Sequence, residues 1–354
     1  MRAEKDPKTG KWMIQYRYTD WQGKRRKSTK RGFTTKKEAE KWLQEFLQVK
    51  ALNMNMSFND FADLYLEDMS HRLREHTMIN KKYIIDLKIR PYFGSKKMNE
   101  IKAVDIRNWQ NELMKQDYSA TYLKTINIQL SAIFNYASKY YDLPHNPSRK
   151  AGSMGKSRAE EMRYWTKEEF QTFIDTLTNK QQSYMIFNTL YWTGMRIGEL
   201  LALTKADIDL DERIIHITKS YQRLNGKDVI TDPKTPKAKR DISIPDFLAE
   251  DYEDYFASIY DLKDDNRLFP VTKYYIEHEM QRGIKSSGVK KIRVHDLRHS
   301  HASMLVAMGF QPLEIADRLG HERVQTTLDT YAHLYPNKRT QMAEKLQEAH
   351  KEVE

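Results

Sequence analysis

The sequence predicts a multidomain protein, mainly α-helical with small β-sheets: a small sheet-plus-helix domain, then a helical domain, then a mixed α+β domain. Three observations predict it. At 354 residues the chain is longer than one hydrophobic core usually supports. Its charge is lopsided, because residues 1–50 hold 15 Lys and Arg against 6 Asp and Glu, a surplus of nine within a net charge of +11. The apolar pattern also changes period along the chain. It alternates near the N-terminus, takes helical spacing across 57–148 and mixes the two from 164 onward.

Composition narrows the function before any motif is read. Hydrophobic residues make up 39% of the chain, enough for packed cores. A surplus of positive charge this large calls for an acidic partner, and nucleic acid is the commonest. The absence of cysteine excludes disulfides, thiolate metal sites and cysteine nucleophiles. No apolar run approaches the ~18 residues of a membrane span, and the opening residues show no signal-peptide core. A cytoplasmic protein with no membrane partner is expected.

In the first 50 residues Trp12, Ile14, Tyr16 and Tyr18 alternate with more polar neighbours, the period of a strand. Asp20–Gly23 reads as a hairpin turn, with the return strand in the basic run that follows. Thr35, with Glu38 three residues on, predicts a capped helix. A two-stranded ribbon fits a major groove. The basic residues on or beside it, Arg17, Lys24, Arg25, Arg26, Lys27, Lys30 and Arg31, are therefore the candidate DNA contacts. The alternative is a solvated lysine-rich surface.

Leu52–Ser57 reads as a polar linker. Ser57 then caps a helix whose Phe58, Phe61, Ala62 and Tyr65 share a face. Further helices are expected over 76–90, 103–116 and 119–141, the first broken by the run from Arg90 to Gly94. Residues 149–163, rich in Gly and Ser, read as a linker to a domain over 164–336. That domain opens on a capping box, Thr166 with Glu169, and carries strand-like runs near 213–218, 227–235 and 239–245. The last segment, 337–354, is helical in pattern with a narrow apolar stripe of Met342, Leu346 and Ala349.

Arg196 is a lone charge in an apolar helical stretch, with Glu199 three residues on as a partner on the same face. Lys234 falls at an expected hairpin between two of the strand-like runs, with Lys237 and Lys239 close by, which leaves the choice of lysine open. His295 and Arg298 sit at i, i+3 near a helix start where Asp296 would be the N-cap. His295 and His299, at i, i+4, also resemble half a zinc site, but Arg298 would set a cation beside the metal and no carboxylate cluster accompanies them. Pro312 opens a helix that Gly320 closes, which fixes His321, and Thr326 with Asp329 looks like a capping box for the helix bearing Tyr331. Each feature alone is weak. Two arginines, a lysine, two histidines and a tyrosine together can transfer a phosphodiester without a metal.

These residues, in "TGMRIGELLAL" around Arg196, "PKT" at Lys234, "VHDLRHSHAS" with His295 and Arg298, "LGH" at His321 and "TTLDTYAH" at Tyr331, resemble the tyrosine site-specific recombinases, the integrase family of phages and conjugative transposons. The resemblance is close over about 165–335. It is looser over 57–148, which resembles the family's core-binding domain, and over 1–50, which resembles an arm-binding domain. It implies a tyrosine-recombinase catalytic domain in which Tyr331 attacks a DNA phosphate to give a 3′-phosphotyrosyl bond. Lys234 would act as general acid and His295 as base. His321 would donate to a non-bridging oxygen, and Glu199 would orient the site. It implies no cofactor and no metal. The implied partners are double-stranded DNA at core crossover sites and separate arm-type sites, a homotetramer on synapsed DNA with the 337–354 helix exchanged between protomers, and an accessory excision or host DNA-bending protein. A DNA-binding regulator with a vestigial site and a chromosome-dimer resolvase of the same chemistry are the alternatives.

Overall fold

A computed structural model of the chain describes residues 3–7, 9–19, 25–43, 56–156, 162–233, 235–335 and 347. The chain divides into two compact units between residues 160 and 161. The expected turn at Asp20–Gly23, Lys24, Lys234 and all but one residue of the 337–354 segment lie outside the described residues.

In the first unit β1 (Ala3–Lys5), β2 (Trp12–Thr19) and β3 (Arg25–Phe33) form an antiparallel sheet in that order. Residues 36–43 form helix α1. The period-2 pattern does what it predicts: Ile14 and Tyr16 are buried with Phe33, Ala39 and Leu43 in a small core, and Trp42 packs against it. Glu38 donates its backbone N–H to Thr35 Oγ1 at 3.1 Å, but its carboxylate reaches back to the backbone N–H of Thr34, at 3.0 Å, one residue beyond the expected box.

The same unit continues through α2 (Phe58–Ser70), α3 (Glu75–Ile84), a π-helical turn (Ile85–Ile89), α4 (Arg90–Phe93), α5 (Ala103–Met114), α6 (Ala120–Tyr140) and α7 (Pro147–Ala151). Phe58, Phe61, Phe93, Trp109 and Phe134 lie at the centre of a second core. The expected break at Arg90 is instead a continuation. Pro91 follows directly on the π turn, whose wider spacing lets the helix run on to Phe93 past a residue with no N–H to donate. The stretch read as linker begins as a helix. Asn146 Oδ1 accepts from the backbone N–H groups of Ser148 and Arg149 at 2.8 and 3.2 Å, and Ala151 and Met154 are buried in the helical core.

The second unit holds α8 (Lys167–Ile174), α9 (Gln181–Thr193), α10 (Ile197–Leu200), β4 (Ile208–Asp209), β5 (Ile214–Ile217), β6 (Ser220–Leu224), β7 (Lys227–Thr231) and β8 (Arg240–Ser243). It continues with α11 (Asp246–Ser258), α12 (Lys273–Ser287), α13 (Asp296–Ala307), α14 (Pro312–Leu319) and α15 (Val324–Tyr331). Helix α9 is apolar on nearly every side because it is the centre of the core, with Met185, Ile186, Phe187, Leu190 and Tyr191 all buried. Two small sheets belong to the same unit, β4-β5-β8 and the hairpin β6-β7. The hairpin turns on Asn225 and Gly226, both at positive φ, the geometry of a two-residue turn. This corrects the expected pairing of the strand-like runs 227–235 and 239–245. The first pairs with β6 and the second with β5, so the two runs do not pair with each other; Lys234 itself lies outside the described residues.

Candidate active site

The site is assembled on the C-terminal end of α14. Gly320 takes φ +67 and closes that helix, with His321 N donating to Ala316 O at 2.9 Å. A helix end leaves carbonyls without partners and carries partial negative charge. Here three consecutive carbonyls each receive a different arginine. Arg240 Nε donates to Arg318 O at 2.8 Å, Arg298 Nη2 to Leu319 O at 2.6 Å and Arg196 Nη2 to Gly320 O at 3.3 Å.

Each arginine has a second anchor. Arg298, 4% exposed, donates Nη1 to Gly194 O at 2.8 Å. Gly194 ends α9 at φ +66, and a Cβ there would lie 2.6 Å from the His301 ring, so glycine is required both by conformation and by space. Arg196 caps α10 and pairs Nη1 with Glu199 Oε1 at 2.7 Å. Arg240 Nη2 lies 2.9 Å from Glu199 Oε2. Burial works to raise the Glu199 carboxyl, but the Arg240 hydrogen bond and the charges of Arg240 and Arg196 hold it below the ordinary range. Three guanidinium groups against one carboxylate leave a local excess of positive charge suited to an anion. Burial, then the charge of Arg196, pushes Arg298 down to about 9, still protonated at neutral pH.

The histidines divide by role. His301 is fully buried and accepts Arg318 Nε at Nε2, 2.9 Å, within a lattice in which Arg318 also donates to Ser243 O and Trp192 O. It is a packing residue. His321 Nδ1 lies 2.8 Å from Thr327 Oγ1, and burial, then Arg298, pushes its imidazole down to about 3. His295 precedes α13 and is exposed; the protein around it, then Arg298, lowers its imidazole. Its ring meets His299 edge-on, centroids 5.4 Å apart. His299 Nδ1 lies 2.7 Å from the Tyr331 hydroxyl. Tyr331 is 1% exposed, and burial pushes its phenol up to about 12.

The structure thus brings Arg196, Glu199, Arg298, His321 and Tyr331 to one side of the unit, with His295 at its rim. Lys234 is outside the described residues; Lys239 is exposed and paired with Asp232 at 2.9 Å. Two expected caps are corrected. His295, not Asp296, is the N-cap of α13; Asp296 is the first helical residue and holds Arg293 N at 2.8 Å. Helix α15 starts at Val324, so Thr326 and Asp329 lie inside it, where Thr326 N donates to Arg323 O and Asp329 takes a bond from Gln325. Arg240 was missed, although period 2 puts it on the face of buried Ile242. Among the described residues no three His, Asp or Glu gather as a metal-ligand set.

On the N-terminal sheet the register sorts the candidate contacts. Arg17 pairs with Lys27 and Met13 with Arg31, on the face away from Ile14, and Arg17, Lys27 and Arg31 are exposed. Lys30 pairs with Ile14 and lies over the Trp42 ring at 5.8 Å, on the helix side. Arg25 and Arg26 lie in β3 opposite Thr19 and Tyr18.

Known proteins share this plan. Residues 163–338 match the phage integrase family, residues 57–114 the phage integrase N-terminal SAM-like domain and residues 3–49 an arm DNA-binding domain. The integrase of Staphylococcus phage L54a is 25% identical over 71% of this chain and 80% of its own. The Tn1549 transposon integrase, solved in complex with transposon right end DNA, shares the fold with a TM-score of 0.69 over 83% of this chain and 99% of that one, at 20% identity. The ICEBs1 integrase of Bacillus subtilis (strain 168) is 32% identical over 88% of this chain and 90% of its own. Likeness at that level, carried along almost the whole of both chains, settles kinship: the chain belongs to the phage integrase family and is a tyrosine recombinase.

Proposed function

We propose that this integrase cuts and rejoins DNA with Tyr331 as nucleophile, through a 3′-phosphotyrosyl bond, to move a mobile element into and out of a chromosome. The observation that carries the reading is the row of three arginines on the end of α14 beside a buried tyrosine. Arg196 and Arg298 neutralise the non-bridging oxygens of the scissile phosphate, with Arg240 holding Glu199 behind them. His321 donates from Nε2, the nitrogen that Thr327 does not engage. Lys234 protonates the leaving 5′ oxygen. The bond energy is kept in the ester, so no ATP is required.

Fixed cations supply the charge that a divalent ion would otherwise bring. Incubated with a nicked suicide duplex carrying its crossover site, the protein is expected to form a covalent adduct that EDTA does not diminish. Loss of the adduct on chelation and its return with zinc or magnesium would refute the metal-free reading. No adduct on any such duplex would favour a vestigial site.

The chain is divided as residues 1–50 for arm-type sites, 57–148 for the core site, 149–163 as linker and 164–336 for catalysis, with 337–354 exchanged between the protomers of a tetramer on synapsed DNA. An accessory excision or DNA-bending protein completes the assembly, in the cytoplasm at the nucleoid. No helix among the described residues is long and apolar enough to cross a membrane. The open face bearing Arg17, Lys27 and Arg31 supports a reading role for the first segment. Phosphate contacts steepen the salt dependence by about 0.9 per contact and are blind to sequence, whereas each base contact discriminates by about 1–3 kcal/mol. Residues 1–50 alone are therefore expected to prefer sequences within the element's ends over random DNA, measured by gel shift at physiological salt. Equal affinity for all duplexes would make the segment a nonspecific tether.

A further inference from the structure

Among the described residues the Tyr331 hydroxyl has a single hydrogen-bond partner, and it is His299 Nδ1 at 2.7 Å. His295, the base implied by resemblance, stands one helical turn earlier and at the surface, its ring against the edge of His299. We propose that His299 takes the proton of Tyr331 during strand cleavage and returns it during rejoining. The inference rests on Tyr331 being the nucleophile.

The surroundings of His299 suit a proton acceptor. Along its own stretch of chain, on and just before α13, it faces His295, Asp296, Arg298 and Arg293, and from the segment across it faces Tyr331 and His321. Burial first, then His295 and the charges of Arg298 and Arg293, outweigh the opposing charge of Asp296 and push its imidazole down to about 4. The ring is therefore neutral at physiological pH, and the Nε2–H tautomer leaves the Nδ1 lone pair aimed at the phenol. The phenol, in turn, is too weak an acid to ionise unaided.

In cleavage the Tyr331 Oη proton passes to His299 Nδ1 as an Oη lone pair forms the bond to phosphorus. The P–O5′ bond breaks, and its electron pair leaves with O5′, which is protonated by the general acid. In rejoining the 5′-hydroxyl attacks, its proton returns to that acid, the Oη–P bond breaks and Oη recovers its proton from His299. No proton or electron is left over.

The test uses the full-length protein and a nicked suicide duplex carrying the crossover site, in two forms, one with the natural 5′ oxygen and one with a bridging 5′ sulfur. Sulfur leaves as a thiolate without a proton, so it rescues a lost acid but not a lost base. His299→Ala and His299→Gln are both expected to slow adduct formation by about 100-fold on both substrates. The parent rate should be level across neutral pH and fall as the medium approaches pH 4. The residual rate of either variant should rise about tenfold per pH unit, because hydroxide then removes the phenol proton. The glutamine variant keeps a hydrogen bond to Tyr331 but cannot hold the proton, and it carries the test if the alanine variant does not fold. A glutamine variant within threefold of the parent would reduce His299 to placing the phenol and overturn the proposal, as would rescue by sulfur. Tyr331→Phe is run alongside. An adduct there would sink the nucleophile itself, whereas its absence together with an unimpaired His299→Gln would sink only the proton transfer.

Discussion

Replacing Tyr331 by Phe is expected to abolish covalent attachment to DNA and leave DNA binding unchanged. The substitution removes one oxygen from a ring that is 1% exposed and packed with Ala302, Leu305, Val306, Ile315 and Leu319. Those apolar contacts survive. What is lost to stability is the hydrogen bond with His299, about 0.5–1.5 kcal/mol, too little to unfold a domain of this size. What is lost to chemistry is the attacking atom, for which the ring offers no substitute. Gel shift and a detergent-resistant adduct band, measured on the same sample, separate the two effects. An adduct formed by the phenylalanine variant would remove Tyr331 from its role.

Arg298→Met is expected to lower cleavage by about 1,000-fold or more and also to destabilise the second unit. The guanidinium is 4% exposed and divides its donors between Gly194 O and Leu319 O. Each buried carbonyl left without a donor costs about 1–3 kcal/mol, partly offset because Arg196 and Arg240 lose a like-charged neighbour. A net cost of about 2–4 kcal/mol would lower the melting temperature by roughly 5–15 °C. The catalytic loss follows from removing a fixed cation from the phosphate. Arg298→Lys separates the two. It restores the charge, but a single ammonium cannot span two carbonyls and a phosphate, so stability should recover in part while cleavage stays low. Cleavage within tenfold of the parent in either variant would place the phosphate elsewhere.

The uneven legibility of the sequence has physical causes. Gly320 and Pro312 mark backbone conformations that few other residues adopt, so the ends of α14 could be read directly, whereas the stop at Gly194 inside an apolar stretch was not. Arg196 and Glu199 could be paired because i, i+3 spacing is local. The partner of β7 could not be, because β6, "SYQRL", lacks the β-branched run that announces a strand, which leaves the run at 239–245 as the more visible neighbour. Thr326 and Asp329 fit a capping pattern that also occurs inside helices, and nothing nearby distinguishes the two. Gly, Ser and Pro hid α7 because Asn146-Pro147 serves equally as a loop signal and as a helix start. Arg240 and the pairing of His299 with Tyr331 depend on contacts 41 and 32 residues apart along the chain, which periodicity does not report.

The three carbonyls at the end of α14 bear on how such a site could be transplanted. Each of its cations is anchored there by a backbone carbonyl, and a backbone atom has no side chain to exchange. Grafting the arginines, histidines and tyrosine onto another scaffold would carry over the reagents without the jig that aligns them. The smallest portable unit is the helix end itself, Arg318 to His321 with Gly320 at its left-handed stop, together with the Gly194 turn that faces it. A recombinase designed from scratch would need to begin with that bend of main chain and add the reactive groups afterwards.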